Sequence, residues 1–379
     1  MRFFANESVI EMSNFARLIL ASGENCPDMR YAAGFSTPDE FFYYEKDDVC
    51  GVICSALEFN RARSQARSGV TVRPESDFGG PDRIKIVSAL AAELNVDGFL
   101  VPQDFPFGVA EKLRRAGIAV EPFEGIFFPE REFKTEDEIR QVTISQRAGE
   151  AGCRRAFEIL RETDIGNDRM LYWNGEPLTS EILRAEIDIA MVRLGMLPTG
   201  TICAGGVQGS QPHNVGSGHI PADMPIVMDI FPRSATSGYW GDLTRTVVRG
   251  RASDLVKKAY DTVLTARESC KGAVCAGVNP VEVHNIAVNI MEKNGFYTGC
   301  GEKGDFGFFH GLGHGVGLDI HEAPRLSPRN SKPLKGGEIV TVEPGLYYPE
   351  WGGIRLEDLV VVTDGGCRCL TVLEDFLEI

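Results

Sequence analysis

Residues 309–324 read FHGLGHGVGLDIHEAP and hold three of the six histidines in the chain, His310, His314 and His321. Glycines at 311, 313, 315 and 317 separate these histidines. Because glycine has no β-carbon, a neighbouring backbone or a ligand can approach it closely. Apolar residues at 312, 316, 318 and 320 alternate with the glycines, as in a strand that packs on one face. The stretch therefore predicts a strand whose histidines point into a site.

Four carboxylates in other apolar, β-rich runs are candidates for the same site: Asp229, Asp242, Glu343 and Glu357. A lone acid in an apolar strand, such as Asp229 in PIVMDIF, is costly unless it is paired or metal-bound. Any one of these acids alone is more often a surface charge or an ion-pair partner, but all four in strands favour a shared site. With His314 they form an oxygen-rich set, which suits two divalent ions better than a closed thiolate zinc site.

Composition predicts an acidic, globular protein with two domains. A chain of 379 residues exceeds one ordinary core, and 43% of its residues are hydrophobic. The net charge of −15 argues against nucleic acid or an anionic membrane as a partner, because both require a basic patch. We find no long apolar run and no secretion signal, so a cytoplasmic protein is expected. The ten cysteines are scattered and predict reduced thiols.

The first third of the chain alternates short apolar runs with helical patterns, which predicts an α/β domain over residues 1–133. A capping box at Thr135 to Glu138 opens a long amphipathic helix and marks the start of a second domain at 134–379. The alternative is that this helix lies within one large domain. No catalytic motif is visible before it, so we expect the first domain to serve recognition or oligomerisation.

Five segments in order give the second domain a family resemblance. They are MDIF at 228–231 with Asp229, YWGDLTRT at 239–246, HGLGHGVGLDIHEAP at 310–324, VEPG at 342–345 and GIRLED at 353–358. Together they resemble the metallopeptidase family of methionine aminopeptidase, aminopeptidase P and prolidase, to which creatinase is also related. The resemblance implies a pita-bread fold, in which two similar α/β halves surround a curved antiparallel sheet. The additional N-terminal domain resembles that of the aminopeptidase P, prolidase and creatinase branch.

The resemblance also implies a dinuclear metal centre. In it Asp229 chelates one ion, Asp242 and Glu357 bridge both ions, and His314 and Glu343 complete one side. The ions would be Mn²⁺ or Co²⁺, with Zn²⁺ or Fe²⁺ as alternatives, because oxygen ligands with one histidine accept all four. A hydroxide held between the ions would attack the scissile carbonyl, with Glu343 as the proton shuttle.

The remaining motif residues are assigned to the substrate by the same resemblance. His321 would stabilise the tetrahedral intermediate, His213 would act near the scissile bond, and His310 would contact the residue after that bond. Arg355 would orient a bridging acid or bind a substrate carboxylate. The glycines of 309–324 would let a peptide backbone lie along the strand that carries the three histidines. His284 is interpreted as a helix-surface or satisfied core histidine. Asp319 and Asp358 lie beside site residues but need not share their face, since neighbours on a strand point opposite ways.

The predicted activity is hydrolysis of the Xaa-Pro bond in short proline-containing peptides, by a protein that the family leads us to expect as a homodimer. Three alternatives stay open: dipeptidase or aminopeptidase P specificity, a creatinase-like amidinohydrolase, and a non-catalytic peptide-binding module. One segment departs from the family pattern. Where relatives have Asp-x-Gly, this chain has Asp229-Ile230-Phe231, and the hairpin to Asp242 is longer than usual. The ligand assignment is unaffected by this departure, whereas the shape of the substrate entrance is left open.

Overall fold

The computed structural model describes residues 14–379, which form two compact units that divide between Pro129 and Glu130. Within the described residues, no helix is long and apolar enough to cross a membrane. The first unit contains six strands and four helices: β1 Phe15–Ala21, α1 Pro27–Ala33, β2 Phe41–Lys46, β3 Val49–Cys54, α2 Ala56–Gln65, β4 Thr71–Pro74, α3 Arg83–Leu94, β5 Gly98–Val101, α4 Phe107–Arg115 and β6 Ala119–Pro122.

These strands build one mixed sheet in the order β4-β3-β2-β1-β5-β6. Helices pack on both faces of this sheet, as the side chains of β1 show, because they alternate between the two faces. Leu18 and Leu20 pack with residues of α3 and α4 on one side. Ile19 packs with residues of α1 on the other side. The predicted α/β class is thus confirmed for this unit, and its helices cover both faces of the sheet.

Helix α5, Glu136–Glu162, opens the second unit as its sequence predicts. The Thr135 side chain accepts a hydrogen bond from the Glu138 amide, and the Glu138 carboxylate accepts one from the Thr135 amide at 2.8 Å. This capping box satisfies two amides that the helix itself leaves without a partner. The second unit starts at Glu130, four residues before the predicted domain start (134 − 130).

The second unit continues with three further helices and seventeen strands. They are β7 Asp164–Ile165, β8 Leu171–Trp173, β9 Glu176–Pro177, α6 Ser180–Val192, β10 Met196–Leu197, β11 Ile202–Gly205, β12 Pro225–Ile230, β13 Arg233–Ser234, β14 Leu243–Val248, α7 Asp254–Ala273, α8 Pro280–Lys293, β15 Gly299–Gly301, β16 Gly304–Phe306, β17 Gly313–Gly315, β18 Glu322–Leu326, β19 Ile339–Val342, β20 Gly345–Tyr348, β21 Gly352–Arg355, β22 Asp358–Thr363 and β23 Gly366–Cys369.

Two antiparallel sheets, each with a pair of helices, make the two halves of this unit. The first sheet has the order β11-β12-β14, and the second has the order β18-β17-β19-β22-β23. Residues of α5 and α6 share a hydrophobic core with β12 and β14. Residues of α7 and α8 share another core with β19 and β22. This agrees with the two α/β halves implied by the family resemblance.

Two glycines of 309–324, Gly313 and Gly315, do not serve the predicted purpose of making room for a substrate peptide. The strand is short, since β17 covers Gly313–Gly315 and the chain then turns before β18. A β-carbon at Gly313 would collide with the Thr341 carbonyl oxygen, and one at Gly315 with that of Ala323. At these two positions the glycines therefore admit neighbouring protein backbone, and the prediction that they make room for a peptide is wrong there.

Asp358 lies in a buried ionic network that joins α7 to β14 and β22. Its carboxylate is 2.9 Å from Arg245, 3.3 Å from Arg267 and 2.6 Å from Lys271. Burial alone would raise the pKa of Asp358, but these three cations lower it. Asp358 therefore pairs with these cations and not with the site, and its network anchors the strand that follows Glu357.

Replacing Asp358 with alanine is expected to lower the free energy of unfolding by about 3–5 kcal/mol, because Arg245 and Arg267 would become buried charges without this partner. The three tryptophans, at 173, 240 and 351, all belong to the second unit, so their fluorescence during urea unfolding measures the change. The control is Glu350→Ala. Its exposed pair with Lys303 spans 3.7 Å, so this change should cost less than about 1 kcal/mol. Equal effects of the two variants would contradict the anchoring role.

Candidate functional site

One cavity of about 1070 Å³ in the second unit brings together every residue that the sequence assigned to the site. The cavity is lined by His213, Asp229, Asp242, His310, His314, His321, Glu343, Arg355 and Glu357. Most of these residues stand at strand ends or in the loops that connect strands. Residues that are far apart in sequence therefore converge on one cavity, which is lined by the ends of strands and by the loops that connect them.

The pairing of β12 with β14 places Asp229 and Asp242 on the same side. Asp229 lies opposite Thr244 in this antiparallel pair. Asp242 stands two residues before Thr244, so the alternation of a strand directs it to the same face. The Thr244 hydroxyl also donates a 2.7 Å hydrogen bond to Glu357. Thr244 thus links the first sheet to an acid carried by the segment between β21 and β22.

Asp242, His314 and Glu357 form a compact group of potential metal ligands. One ligand atom of each lies within 4.8 Å of those of the other two, and all three residues are buried. His314 Nε2 is 3.6 Å from Asp242 and 3.2 Å from Glu343. The other ring nitrogen of His314 lies 3.2 Å from the Gly315 carbonyl oxygen. This contact directs Nε2 toward the carboxylates, as in many metal-binding histidines.

The electrostatics of the group favour a bound cation. Burial, followed by neighbouring carboxylates, raises the pKa of Asp242 and Glu357 well above their usual values. Burial also raises the pKa of Asp229, although Arg355 opposes it. Burial alone would raise the pKa of Glu343, but the hydrogen bond and charge of His314 lower it to about 2. Two buried and two half-buried carboxylates need more positive charge than Arg355 and His314 supply, so the donor set fits divalent metal.

Arg355 is bound to Asp229 on the floor of this cavity. Its guanidinium donates to Asp229 at 2.6 Å and to the Tyr347 hydroxyl at 2.9 Å, and only 3% of the residue is exposed. Two roles were predicted for Arg355, and the structure supports the first, the orientation of an acid. The acid is Asp229, however, and not one of the predicted bridging residues. Contact with a substrate carboxylate stays a prediction.

Tyr347 is a site residue that sequence reasoning missed. Its hydroxyl, fully buried behind the cavity wall, lies 3.0 Å from His310 Nε2, while the other ring nitrogen of His310 lies 2.7 Å from the Gly311 carbonyl oxygen. Desolvation lowers the pKa of His310, which keeps the ring neutral at physiological pH. A buried tyrosine hydroxyl requires a polar partner, but the sequence around residue 347 gave no sign that this one is buried.

His321 packs edge-on against His314, with 4.4 Å between the ring centroids. Desolvation in the cavity, then the charges of His314 and Arg325, lower the pKa of His321 to about 4. A neutral imidazole can donate one hydrogen bond and accept another, so His321 has the protonation state required to bind a carbonyl oxygen. His213 reaches the cavity from the loop after the 3₁₀ helix Gly206–Ser210.

Arg325 and His284 also line the cavity, although neither was assigned to the site from sequence. Arg325 lies opposite His314 in the pairing of β17 with β18. Among residues 14–379, no carboxylate lies within ion-pair distance of Arg325, so its charge is available to a ligand. His284 is buried on α8, and its Nδ1 atom has no hydrogen-bond partner in the described chain. A single arginine after a histidine motif is too common a pattern to be recognised from sequence.

The longer hairpin after Asp229 contributes a wall of the cavity. The segment between β12 and β14 includes β13, which pairs with β10. Phe231 lines the cavity beside Gly200, where an added β-carbon would lie 3.7 Å from the phenylalanine ring. The segment that departs from the family pattern thus places an aromatic ring at the cavity.

Comparison with known proteins gives a consistent result. The sequence matches metallopeptidase family M24 over residues 140–364. A Xaa-Pro dipeptidase of Pyrococcus furiosus is 38% identical over 175 residues, covering 46% of this chain and 47%, about half, of that protein. A Xaa-Pro dipeptidase of Pyrococcus horikoshii is 28% identical over 277 residues, covering 72% of this chain and 73% of that one.

A solved structure extends the likeness over nearly the whole chain. The Xaa-Pro dipeptidase of Bacillus anthracis superposes with a TM-score of 0.83 at 25% identity, covering 97% of this chain and 96% of that structure. The pita-bread fold predicted for the second unit is thereby confirmed. Since the family match spans more than half of the residues, including all nine that were assigned to the site, the chain belongs to metallopeptidase family M24.

Proposed function

We propose that this chain is a metal-dependent exopeptidase that hydrolyses the Xaa-Pro bond of dipeptides or short peptides. The observation that carries the proposal is the group of Asp242, His314 and Glu357, with ligand atoms within 4.8 Å of one another in a cavity large enough for a short peptide. Relatives that match most of the chain are named Xaa-Pro dipeptidases, which supports the substrate class.

The proposed cofactor is a pair of divalent ions, Mn²⁺ or Co²⁺, with Zn²⁺ or Fe²⁺ as alternatives. Asp229, Asp242, His314, Glu343 and Glu357 would hold them. When bound, such ions lower the pKa of a water molecule and polarise a carbonyl group.

Glu343 and His321 would divide the proton transfer and carbonyl binding between them. The low pKa of Glu343 keeps it deprotonated near neutral pH. In this ionised state it would accept the proton of the attacking water and pass it to the proline nitrogen as the peptide bond breaks. His321, neutral above its pKa of about 4, would donate a hydrogen bond to the oxygen of the tetrahedral intermediate.

Arg325 is the proposed partner of the substrate's terminal carboxylate. Its guanidinium lines the cavity and makes no ion pair with the described residues. Phe308, Phe309 and His310 provide a nearby aromatic wall, which suits the apolar ring of proline. A carboxylate requirement would favour dipeptides over longer peptides. A cytoplasmic location and a homodimer are part of the proposal on the grounds of composition and family resemblance.

Asp242→Ala should abolish release of proline from Ala-Pro, because the proposed metal centre would lose the acid whose ligand atom lies within 4.8 Å of those of His314 and Glu357. Activity and Mn²⁺ content are measured on the same preparation, before and after treatment with a chelator. The wild-type protein should lose activity with chelator and regain it with Mn²⁺ or Co²⁺. Full activity and full metal content in the variant would refute the dinuclear assignment, and a wild-type protein that binds metal but cleaves no Xaa-Pro peptide would favour the non-catalytic alternative.

Arg325→Met should raise KM for Ala-Pro by about 10-fold or more, the cost of a lost charge-assisted contact. Hydrolysis of Ala-Pro amide, which lacks the carboxylate, should change little. Arg329→Met is the matched control, since Arg329 also lines the cavity. If KM for the acid and for the amide respond alike, or if Arg329→Met has the larger effect, the assignment to Arg325 fails.

A further inference from the structure

We propose that Gln146, on helix α5, is a positioning residue that sets the location of Asp242 relative to Glu357. The inference rests on the proposed metal centre, because it concerns the spacing of two of its ligands. Gln146 lies outside the cavity and was not assigned to the site. Its side chain is fully buried, so its polar atoms must find partners within the protein.

The Gln146 amide holds the main chain of Asp242 from both sides. Its Oε1 atom accepts a 2.7 Å hydrogen bond from the Asp242 amide, and its Nε2 atom donates a 2.9 Å bond to the Asp242 carbonyl oxygen. This is the pair of bonds that a neighbouring strand would make with a residue of a sheet. Asp242 precedes β14 and lacks such a strand partner in the pairing of β12 with β14, whose register begins at Leu243.

The second hydrogen of the Gln146 amide connects Asp242 to the strand that follows Glu357. Nε2 also donates to the Thr371 hydroxyl at 3.0 Å, and that oxygen accepts a 2.8 Å bond from the Leu359 amide. Leu359 lies on β22, two residues after Glu357. Both hydrogens and the oxygen of the Gln146 amide are therefore used, and an inverted amide would place donor against donor at Asp242. One side chain thus links the two segments that carry the ligands.

The rest of the loop before Asp242 is docked on the same helix. The Ser145 hydroxyl donates to the Tyr239 carbonyl oxygen at 2.8 Å. A β-carbon at Gly241 would lie 2.5 Å from the main-chain nitrogen of Gln146, so only glycine allows the loop to approach the helix this closely. The loop therefore cannot relax toward α5 if the Gln146 bonds are lost. It would instead move away and take the Asp242 carboxylate with it.

The test is Gln146→Met, which keeps the approximate volume of the side chain and removes all three hydrogen bonds. The metal-stripped full-length protein is titrated with Co²⁺ in a calorimeter, and the visible absorption of bound Co²⁺ is recorded. We expect affinity to fall by about 10- to 100-fold, as for other residues that orient metal ligands. The absorption spectrum should change shape, because the ligand geometry would differ.

Two further variants separate positioning from general destabilisation. Thr262→Val removes a buried hydroxyl of α7 that donates to the Lys258 carbonyl oxygen, and it should leave Co²⁺ affinity unchanged. Thr371→Val breaks the link to Leu359 while Asp242 stays bound to Gln146, so it should weaken Co²⁺ binding in the same direction but less. If Gln146→Met fails to fold, the Co²⁺ affinity of Thr371→Val decides whether Gln146 positions Asp242.

Wild-type Co²⁺ affinity and spectrum in folded Gln146→Met, or in Thr371→Val where the first variant does not fold, would overturn the inference. The result is independent of peptide hydrolysis. A wild-type protein that binds Co²⁺ but cleaves no Xaa-Pro peptide would contradict the proposed function, and the comparison of Co²⁺ affinities would still test the role of Gln146.

Discussion

The placement of four carboxylates, two buried and two half-buried, around a single cavity is the constraint on which the rest of the second unit depends. Taking Asp229, Asp242, Glu343 and Glu357 out of water so close together is unfavourable unless positive charge compensates them. Arg355 and His314 provide part of that charge. The remaining need for positive charge explains why the site is suited to divalent cations and why the pKa values of Asp242 and Glu357 are raised.

The surrounding structure serves to hold these acids in place despite their mutual repulsion. Three of the acids have a fixed partner on a distant segment: Arg355 for Asp229, Thr244 for Glu357 and Gln146 for the main chain of Asp242. The Asp358 network then fixes the strand beyond Glu357 from the opposite face. Because neighbouring residues of an extended segment point opposite ways, Glu357 faces the cavity while Asp358, the first residue of β22, faces the cations of β14 and α7.

Sequence patterns predicted the acids and histidines of the site because each stands in a short motif with its own local signal. A lone acid in an apolar run, as at Asp229, or a histidine between glycines, as at His314, can be recognised without knowing the fold. Tyr347, Arg325 and Gln146 have no such signal. Their importance depends on what they contact, and Gln146 meets Asp242 and Thr371 from 96 and 225 positions away in sequence.

What the sequence by itself determined is therefore the residue types of the candidate site, their order along the chain and, through the family resemblance, the two α/β halves that carry them. The tertiary structure alone decided how those residues are used. It assigned Arg355 to Asp229, and it showed that Gly313 and Gly315 admit neighbouring strands instead of a peptide. The reason is physical, since residue type and local periodicity are properties of the chain, whereas hydrogen-bond partners and close backbone approaches exist only after distant segments have packed together.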